Sequence, residues 1–371
     1  MNKTYESVLV VCTRRIGDVL LATPVIRSLK AAVPQAAIDM LVFRGTEDVV
    51  TANPDIRRVW TVSPGASVRE SLTMLSQIWR RYDLALSVLP GDRPVFYAWA
   101  AGRRSMATVT PERKSWWKRL LLDGLESFDN FDTHTVVMNL RLLRLLGVAA
   151  VATPVVTWAP EDEVAARAVF QDMDGSERYA VLHVTPKFVY KAWTASGWAM
   201  LGRWIRDCGV KVVIVGGTSP DERATVSRIL DGLPPDVIDL TGRVTLRALG
   251  PILSRAALYV GTDTAVTHMA AALGVPTIAL FGPSNPVKWG PWPSAWPADS
   301  PSPWKRVGSQ QRGNVYVLQG EGDCVPCLHE GCERHVNSMS DCLQQLPVSR
   351  VIEVAEQMLQ RQHRHPAIVE A

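Results

Sequence analysis

The 371-residue chain is short of several things, and each shortage excludes a class of protein. Six cysteines are too few for a disulfide framework. No run of 18 apolar residues occurs. The longest candidate, Ala265 to Phe281, is broken by Thr267, His268, Gly274, Pro276 and Thr277, so no segment reads as spanning a bilayer. The short apolar run Val8–Cys12 precedes Arg14 and Arg15 rather than following positive charge, the reverse of a signal peptide, and the expected address is the cytosol. A net charge of only +4 argues against a dedicated nucleic-acid binder. That small total hides a division: residues 1–150 hold 20 basic and 14 acidic side chains, and residues 151–371 hold 20 and 22. One half is suited to an acidic partner.

What is present is a large apolar fraction, 47%, in a chain too long for one ordinary core. Short β-branched runs alternate with helical patterns, which predicts parallel sheets built from βαβ units. Strands are expected at Val8–Cys12, Ile38–Phe43, Val59–Val62 and Leu84–Leu89, with helices near Val19–Ala32, Val68–Arg80 and Thr135–Leu146. The Pro-containing stretch Val148–Pro160 reads as the connection to a second series. There the strands are Ala180–Val184, Val212–Val215, Val237–Leu240, Leu258–Val260 and Thr277–Phe281. Helices are expected near Ser196–Asp207, Glu222–Leu230, Leu246–Arg255 and Ala265–Leu273. The expected domains are 1–150, 151–347 and a C-terminal helix and tail, 348–371. Two doubly wound α/β domains would bind ligand at the carboxyl ends of their strands, facing a central cleft.

The loop after the first strand reads Arg14-Arg15-Ile16-Gly17-Asp18-Val19-Leu20-Leu21-Ala22-Thr23-Pro24. It holds one glycine where a dinucleotide fingerprint needs three, so a dinucleotide site is not expected. Asp18 stands at a helix start beside two arginines. It serves either as a helix N-cap or as a carboxylate that takes a proton from a bound hydroxyl.

This segment resembles the start of bacterial lipopolysaccharide heptosyltransferases. The resemblance implies a GT-B fold of two Rossmann-like domains and transfer of heptose from ADP-heptose to the inner core of lipopolysaccharide. It makes Asp18 the catalytic base and puts Arg14 and Arg15 on the acceptor side. Three further stretches carry the likeness on to about Leu359. The first, His183-Val184-Thr185-Pro186-Lys187-Phe188-Val189-Tyr190-Lys191-Ala192-Trp193, looks like the family segment with a lysine two residues before a tryptophan. Lys191 then neutralises charge on the diphosphate, with Thr185 and Lys187 as further donor contacts. The alternative for Lys191 is a solvated loop lysine.

The second stretch, Val215-Gly216-Gly217-Thr218-Ser219-Pro220-Asp221-Glu222, runs from a strand into a helix. Gly216 permits close backbone approach to a nucleotide, and Glu222 can hold ribose hydroxyls or simply favour the first helical turn. The third and most specific is Gly261-Thr262-Asp263-Thr264-Ala265-Val266-Thr267-His268. Free N–H groups at Thr264 to Val266 would seat a diphosphate at a helix N-terminus, with Asp263 as natural N-cap. This stretch is similar to the family's Asp-Thr-Gly-x-x-His signature, with Ala265 where glycine is usual, and gives His268 a donor-site role.

The only Asp-x-Asp pair, Asp172-Met173-Asp174, reads as an exposed turn. No metal is expected in catalysis, since Lys191 and the helix start supply the charge stabilisation. Cys324, Cys327, Cys332 and Cys342 are closely spaced and suggest a structural zinc site, with free thiols as the alternative. Between Arg93 and Arg119 lie seven basic residues (Arg93, Arg103, Arg104, Arg113, Lys114, Lys118, Arg119), one acid (Glu112), and Trp116-Trp117. That composition suits an anionic membrane surface or a solvated helix face with tryptophans inside. The expectation is an inverting, metal-independent glycosyltransferase of the heptosyltransferase type, cytoplasmic and peripheral on the inner face of the cytoplasmic membrane. Its acceptor is the lipopolysaccharide inner core on lipid A, and no nucleic acid is a partner. The rivals are a sugar-nucleotide epimerase of the same fold and a non-catalytic nucleotide- or glycan-binding scaffold.

Overall fold

A computed structural model describes residues 5–111, 115–170, 177–298, 300 and 302–364. The chain divides into two compact units, 1–157 with 296–302, and 158–295 with 303–371.

The first unit contains strands β1 (Ser7–Cys12), β2 (Ala37–Phe43), β3 (Arg58–Val62), β4 (Tyr82–Ser87), β5 (Gly102–Val109) and β6 (Gly124–Ser127). They form one sheet in the order β3-β2-β1-β4-β5-β6, parallel throughout. Its helices are α1 (Ile16–Leu20), α2 (Thr23–Ala32), α3 (Val68–Ile78), α4 (Asp92–Ala101), α5 (Lys118–Leu121) and α6 (Thr135–Arg144). Five consecutive residues of β1, Val8 to Cys12, are buried, as expected of a strand covered on both faces of a parallel sheet. The helix expected at 19–32 is instead two, broken at Leu21-Ala22. Pro24 lacks the N–H that a continuous helix would use, and it sits where proline is tolerated, in the first turn of α2. Thr23 bridges the break by donating its hydroxyl to Leu20 O at 2.7 Å. The expected connection after Gly147 is pinned to α2: Val151 N–H donates to Ser28 Oγ and Val155 N–H to Thr23 Oγ1, each at 2.8 Å. At the opposite end of this sheet from the site, buried Asp39 accepts from Arg57 (2.9 and 2.8 Å) and from Tyr82 Oη (2.6 Å), tying β2, β3 and β4 together.

The second unit runs α7 (Pro160–Val169), β7 (Tyr179–His183), α8 (Ala195–Asp207), β8 (Lys211–Val215), α9 (Pro220–Leu230), β9 (Ile238–Asp239), α10 (Leu249–Ser254), β10 (Leu258–Thr262), α11 (Ala265–Ala272) and β11 (Thr277–Phe281). It continues through α12 (Pro286–Trp289), β12 (Gln310–Arg312), β13 (Val315–Gln319), α13 (Asp341–Gln344) and α14 (Val348–Arg364). The sheet order is β9-β8-β7-β10-β11-β13-β12, parallel except for the antiparallel edge strand β12. Trp193 and Trp198 pack edge-to-face with centroids 5.1 Å apart, inside a core that also holds Leu182, Ile214, Leu258 and Val351.

Both sheets therefore have the same winding. The first strand of each, β1 or β7, lies between the second and the fourth, so the chain leaves it in two directions. That reversal opens a crevice at the carboxyl ends of β1 and β4 in one unit and of β7 and β10 in the other. The residues just past β1, β7, β8 and β10 border these crevices.

Candidate active site

In the first unit, β1 ends at Cys12 and the chain turns through Thr13 to Arg15 into α1. Arg15, extended at φ −76° and ψ 164°, is the N-cap residue, so Asp18 is not a cap but lies within the first turn. The sequence alternative of Asp18 as N-cap is thus replaced. Its side chain is almost wholly buried, and Arg14 Nε stands 3.6 Å from Oδ1. Arg15 is exposed. Burial, with Asp18 nearby, pushes the Cys12 thiol well up, which leaves it a packing group.

In the second unit, β7 and β10 are adjacent, with Gly261 paired to His183. That register brings the loop after β7 beside the loop after β10. Lys191 Nζ reaches across 72 residues of sequence to Asp263 Oδ2 at 2.5 Å, and both side chains are largely buried. Burial alone would raise the Asp263 carboxyl; Lys191, His268 and Ser284 outweigh it and hold the group below its ordinary value. His268, one turn into α11, is pushed down to about 4 by burial, which prevails over the pull of Asp263. Burial does the same to His183, against the pull of Glu222. Both imidazoles are neutral at pH 7; His183 Nδ1 pairs with the Thr264 hydroxyl, while His268 Nδ1 is buried without a hydrogen bond.

Asp263 was expected to cap α11, and it does not. The N-cap is Thr264, in extended backbone and with no capping bond from its side chain. Its hydroxyl pairs instead with His183 Nδ1 and Thr267 Oγ1, each at 3.2 Å. With the carboxylate turned to Lys191, the first N–H groups of α11 are not consumed by a side-chain cap. Together with the ammonium group they form a positive cradle. Ala265 is the first helical residue and is not among the residues of positive φ, so alanine fits where the motif usually has glycine.

Thr185 follows β7 and Gly216 follows β8. The two are neighbours, for a Cβ placed on Gly216 would meet Thr185 Oγ1 at 2.8 Å. Glu222 forms a capping box with Ser219, accepting from its hydroxyl at 2.7 Å, which is the plain helix-start role allowed for it. Lys187 is exposed and is not drawn into the Lys191–Asp263 group. His183 and Thr241 belong to this neighbourhood and were not singled out from sequence. His183 closes β7 and Thr241 stands two residues past β9, so a polar residue at the carboxyl end of a parallel strand is the signal that marks both.

Residues 117–297 match the family described as Glycosyltransferase family 9 (heptosyltransferase). Lipopolysaccharide heptosyltransferase 3 of Escherichia coli is 28% identical over 285 residues, 74% of this chain and 83% of that protein. The chain is a glycosyltransferase, similar over this segment to family 9. Among solved structures, a family 9 glycosyl transferase from Veillonella parvula superposes with a TM-score of 0.78, at 20% identity over 97% of this chain and 99% of that one. The E. coli ADP-heptose lps heptosyltransferase II gives 0.72 at 18% identity, over 96% and 99%. These likenesses establish the GT-B fold. The matched segment contains Lys191 and the Asp263–His268 stretch. Asp18 and the four clustered cysteines lie outside it.

The basic segment departs from expectation at Lys118. Lys118 is not on a basic surface: it is buried, with Nζ 2.6 Å from Pro90 O and 2.7 Å from Asp92 Oδ1. Trp117 packs against a core of Val95, Ala107 and Leu122, while Trp116 is 64% exposed and Arg119 and Leu120 are exposed. Arg93 donates to Ser63 O and Pro64 O, Arg104 to Tyr5 Oη, and Arg103 lies 3.7 Å from Asp83. Glu112, Arg113 and Lys114 lie outside the described residues, as does Asp172-Met173-Asp174. Among the described residues no group of three or more His, Cys, Asp or Glu side chains is arranged to hold a metal ion. The Cys342 thiol is nonetheless pushed up to about 11, by burial first and then by Cys327, Cys332 and Cys324 nearby. No helix of the described residues is long and apolar enough to cross a membrane.

Proposed function

We propose that this enzyme transfers heptose from ADP-heptose to the inner core of lipopolysaccharide, in one inverting displacement without a catalytic metal. The observation that carries the reading is the buried Lys191–Asp263 pair at the uncapped start of α11. Lys191 and the N–H groups of Thr264, Ala265 and Val266 hold the donor diphosphate and stabilise the charge that grows on departing ADP. Asp263 positions Lys191. Neutral His268 adds a hydrogen bond to the same group, and Thr185, Gly216 and Glu222 take the nucleoside. Asp18, with Arg14 and Arg15 beside it for an acidic acceptor, removes the proton from the acceptor hydroxyl as it attacks the anomeric carbon. The likeness to the E. coli lipopolysaccharide heptosyltransferase 3 and ADP-heptose lps heptosyltransferase II supports this choice of donor and acceptor.

The same reading puts the enzyme in the cytoplasm, resting on the anionic inner face of the cytoplasmic membrane. Exposed Trp116 and Leu120 with Arg119 support that placement. A zinc ion on Cys324, Cys327, Cys332 and Cys342 would be structural and takes no part in transfer.

The test is incubation with a panel of sugar nucleotides and truncated lipopolysaccharide acceptors, followed by mass spectrometry. Transfer is expected from ADP-heptose and to be abolished in Asp18→Asn, with ADP binding kept. Unimpaired turnover in that variant removes the base assignment. Donor consumption without an acceptor would favour the epimerase, and binding without either reaction would favour the scaffold.

A further inference from the structure

Among the buried hydroxyl groups of the second unit that make no hydrogen bond, those of Thr185 and Thr241 stand together. Thr185 is 4% exposed and Thr241 8% exposed, and neither Oγ1 makes a hydrogen bond. They follow β7 and β9, the strands on either side of β8, and converge on the glycine that follows β8. A Cβ on Gly216 would lie 2.8 Å from Thr185 Oγ1 and 3.5 Å from Thr241 Oγ1. The two bends are locked together, since Gly242 N–H donates to Gly216 O at 3.1 Å. Gly242 itself has φ +66°, a conformation that keeps a side chain out of the turn. A buried hydroxyl left unsatisfied costs free energy, and two at one glycine point to a polar ligand that completes them.

The chemistry around them selects the ligand. Hydroxyls donate and accept equally well, so they suit other hydroxyls. The Glu222 carboxylate lies against Gly217, where a Cβ would meet both of its oxygens, and a negative group there repels phosphate. The diphosphate has its own cradle at Lys191 and α11. We infer that Thr241, together with Thr185 and over the gap left by Gly216, binds a ribose hydroxyl of the donor nucleotide and is a specificity-determining residue of this enzyme. This rests on the proposed reading that the donor is an adenosine diphosphate sugar.

The experiment is calorimetric titration of the full chain and its Thr241→Val and Thr241→Ser variants with ADP, 2′-deoxy-ADP and 3′-deoxy-ADP, with thermal unfolding of each protein alone. Valine keeps the shape and removes the hydroxyl, so ADP should bind about 5- to 30-fold more weakly. Serine should bind within about 3-fold of wild type. One of the two deoxy analogues should lose affinity on wild type yet little more on Thr241→Val, because the contact is already gone. The unliganded Thr241→Val protein should melt no lower than wild type, since an unpartnered hydroxyl has been removed. Wild-type ADP affinity in Thr241→Val, equal losses for both analogues on both proteins, or a melting point several degrees lower would each overturn the inference. A wild-type chain that does not bind ADP overturns the donor reading itself, a distinguishable failure.

Discussion

Removing the Lys191 ammonium tests whether the Lys191–Asp263 pair is the electrostatic centre of the donor site. Lys191→Met keeps the stem and leaves the Asp263 carboxylate, with only 7% of its side chain exposed, without its cation. Breaking one side of a buried pair costs about 3–5 kcal/mol, and the lower end applies because the Lys191 side chain is 18% exposed. At roughly 2–4 °C per kcal/mol for a unit of this size, the melting point at pH 7 should fall by roughly 6–12 °C. The pH dependence carries a definite sign. In the wild type the Asp263 carboxyl is held below its ordinary value. Its contribution to stability is therefore full above about pH 4 and lost as pH falls through the lower folded-state value. In the variant burial is no longer outweighed, so the carboxyl should rise above its unfolded value. The folded variant then takes up the proton first and gains stability as pH falls toward about 4. The gap between the two proteins should narrow from pH 7 to pH 5, measured by urea unfolding at each pH. Lys191→Met/Asp263→Asn should recover most of the loss. A deficit under about 1 kcal/mol at pH 7, or one equal at pH 5 and pH 8, would refute the reasoning.

Liposomes with anionic headgroups should retain the protein at low salt, and Trp116→Ser/Arg119→Ser should weaken that retention several-fold; retention that is absent or insensitive to salt speaks against the membrane surface. For the cysteine segment, a structural zinc requires one zinc per chain in purified protein, whose removal by a chelator exposes four more titratable thiols. Well under one zinc, with all six thiols titratable from the start, removes the zinc.

The alternation of strands and helices was legible because buried parallel strands are uninterrupted apolar runs: Val8–Cys12, Val212–Val215 and Thr277–Phe281 are all strand in the structure. Elements whose composition points elsewhere were not legible. Strand β5 opens on Gly102-Arg103-Arg104, and α4 carries Pro94 and three aromatic residues, so this region reads as a basic aromatic patch rather than as a helix feeding a strand. Lys118 is the sharpest case. A lysine in a basic run reads as surface, yet Pro90 O and Asp92, 28 and 26 positions earlier, draw it into the interior. Partners that distant in sequence leave no local trace.

The same distinction governs the site. Where the loops fall could be read, because each follows a strand and the sheet order fixes which strand ends are adjacent. What the side chains do there could not. Asp263 looks like an N-cap in any local reading, since aspartate before a helix usually is one. It is turned away from the helix by Lys191, and only the pairing of β7 with β10 brings that lysine within reach. The consequence is chemical. A carboxylate capping α11 would occupy the N–H groups that a diphosphate needs, whereas one bound to Lys191 leaves them open and fixes a cation beside them. Asp263→Ser makes the distinction measurable, because serine is as good a cap as aspartate and cannot hold the lysine. On a positioning role, that variant should lose ADP affinity about as far as Lys191→Met. If the residue were merely a cap, it would keep both its affinity and its stability.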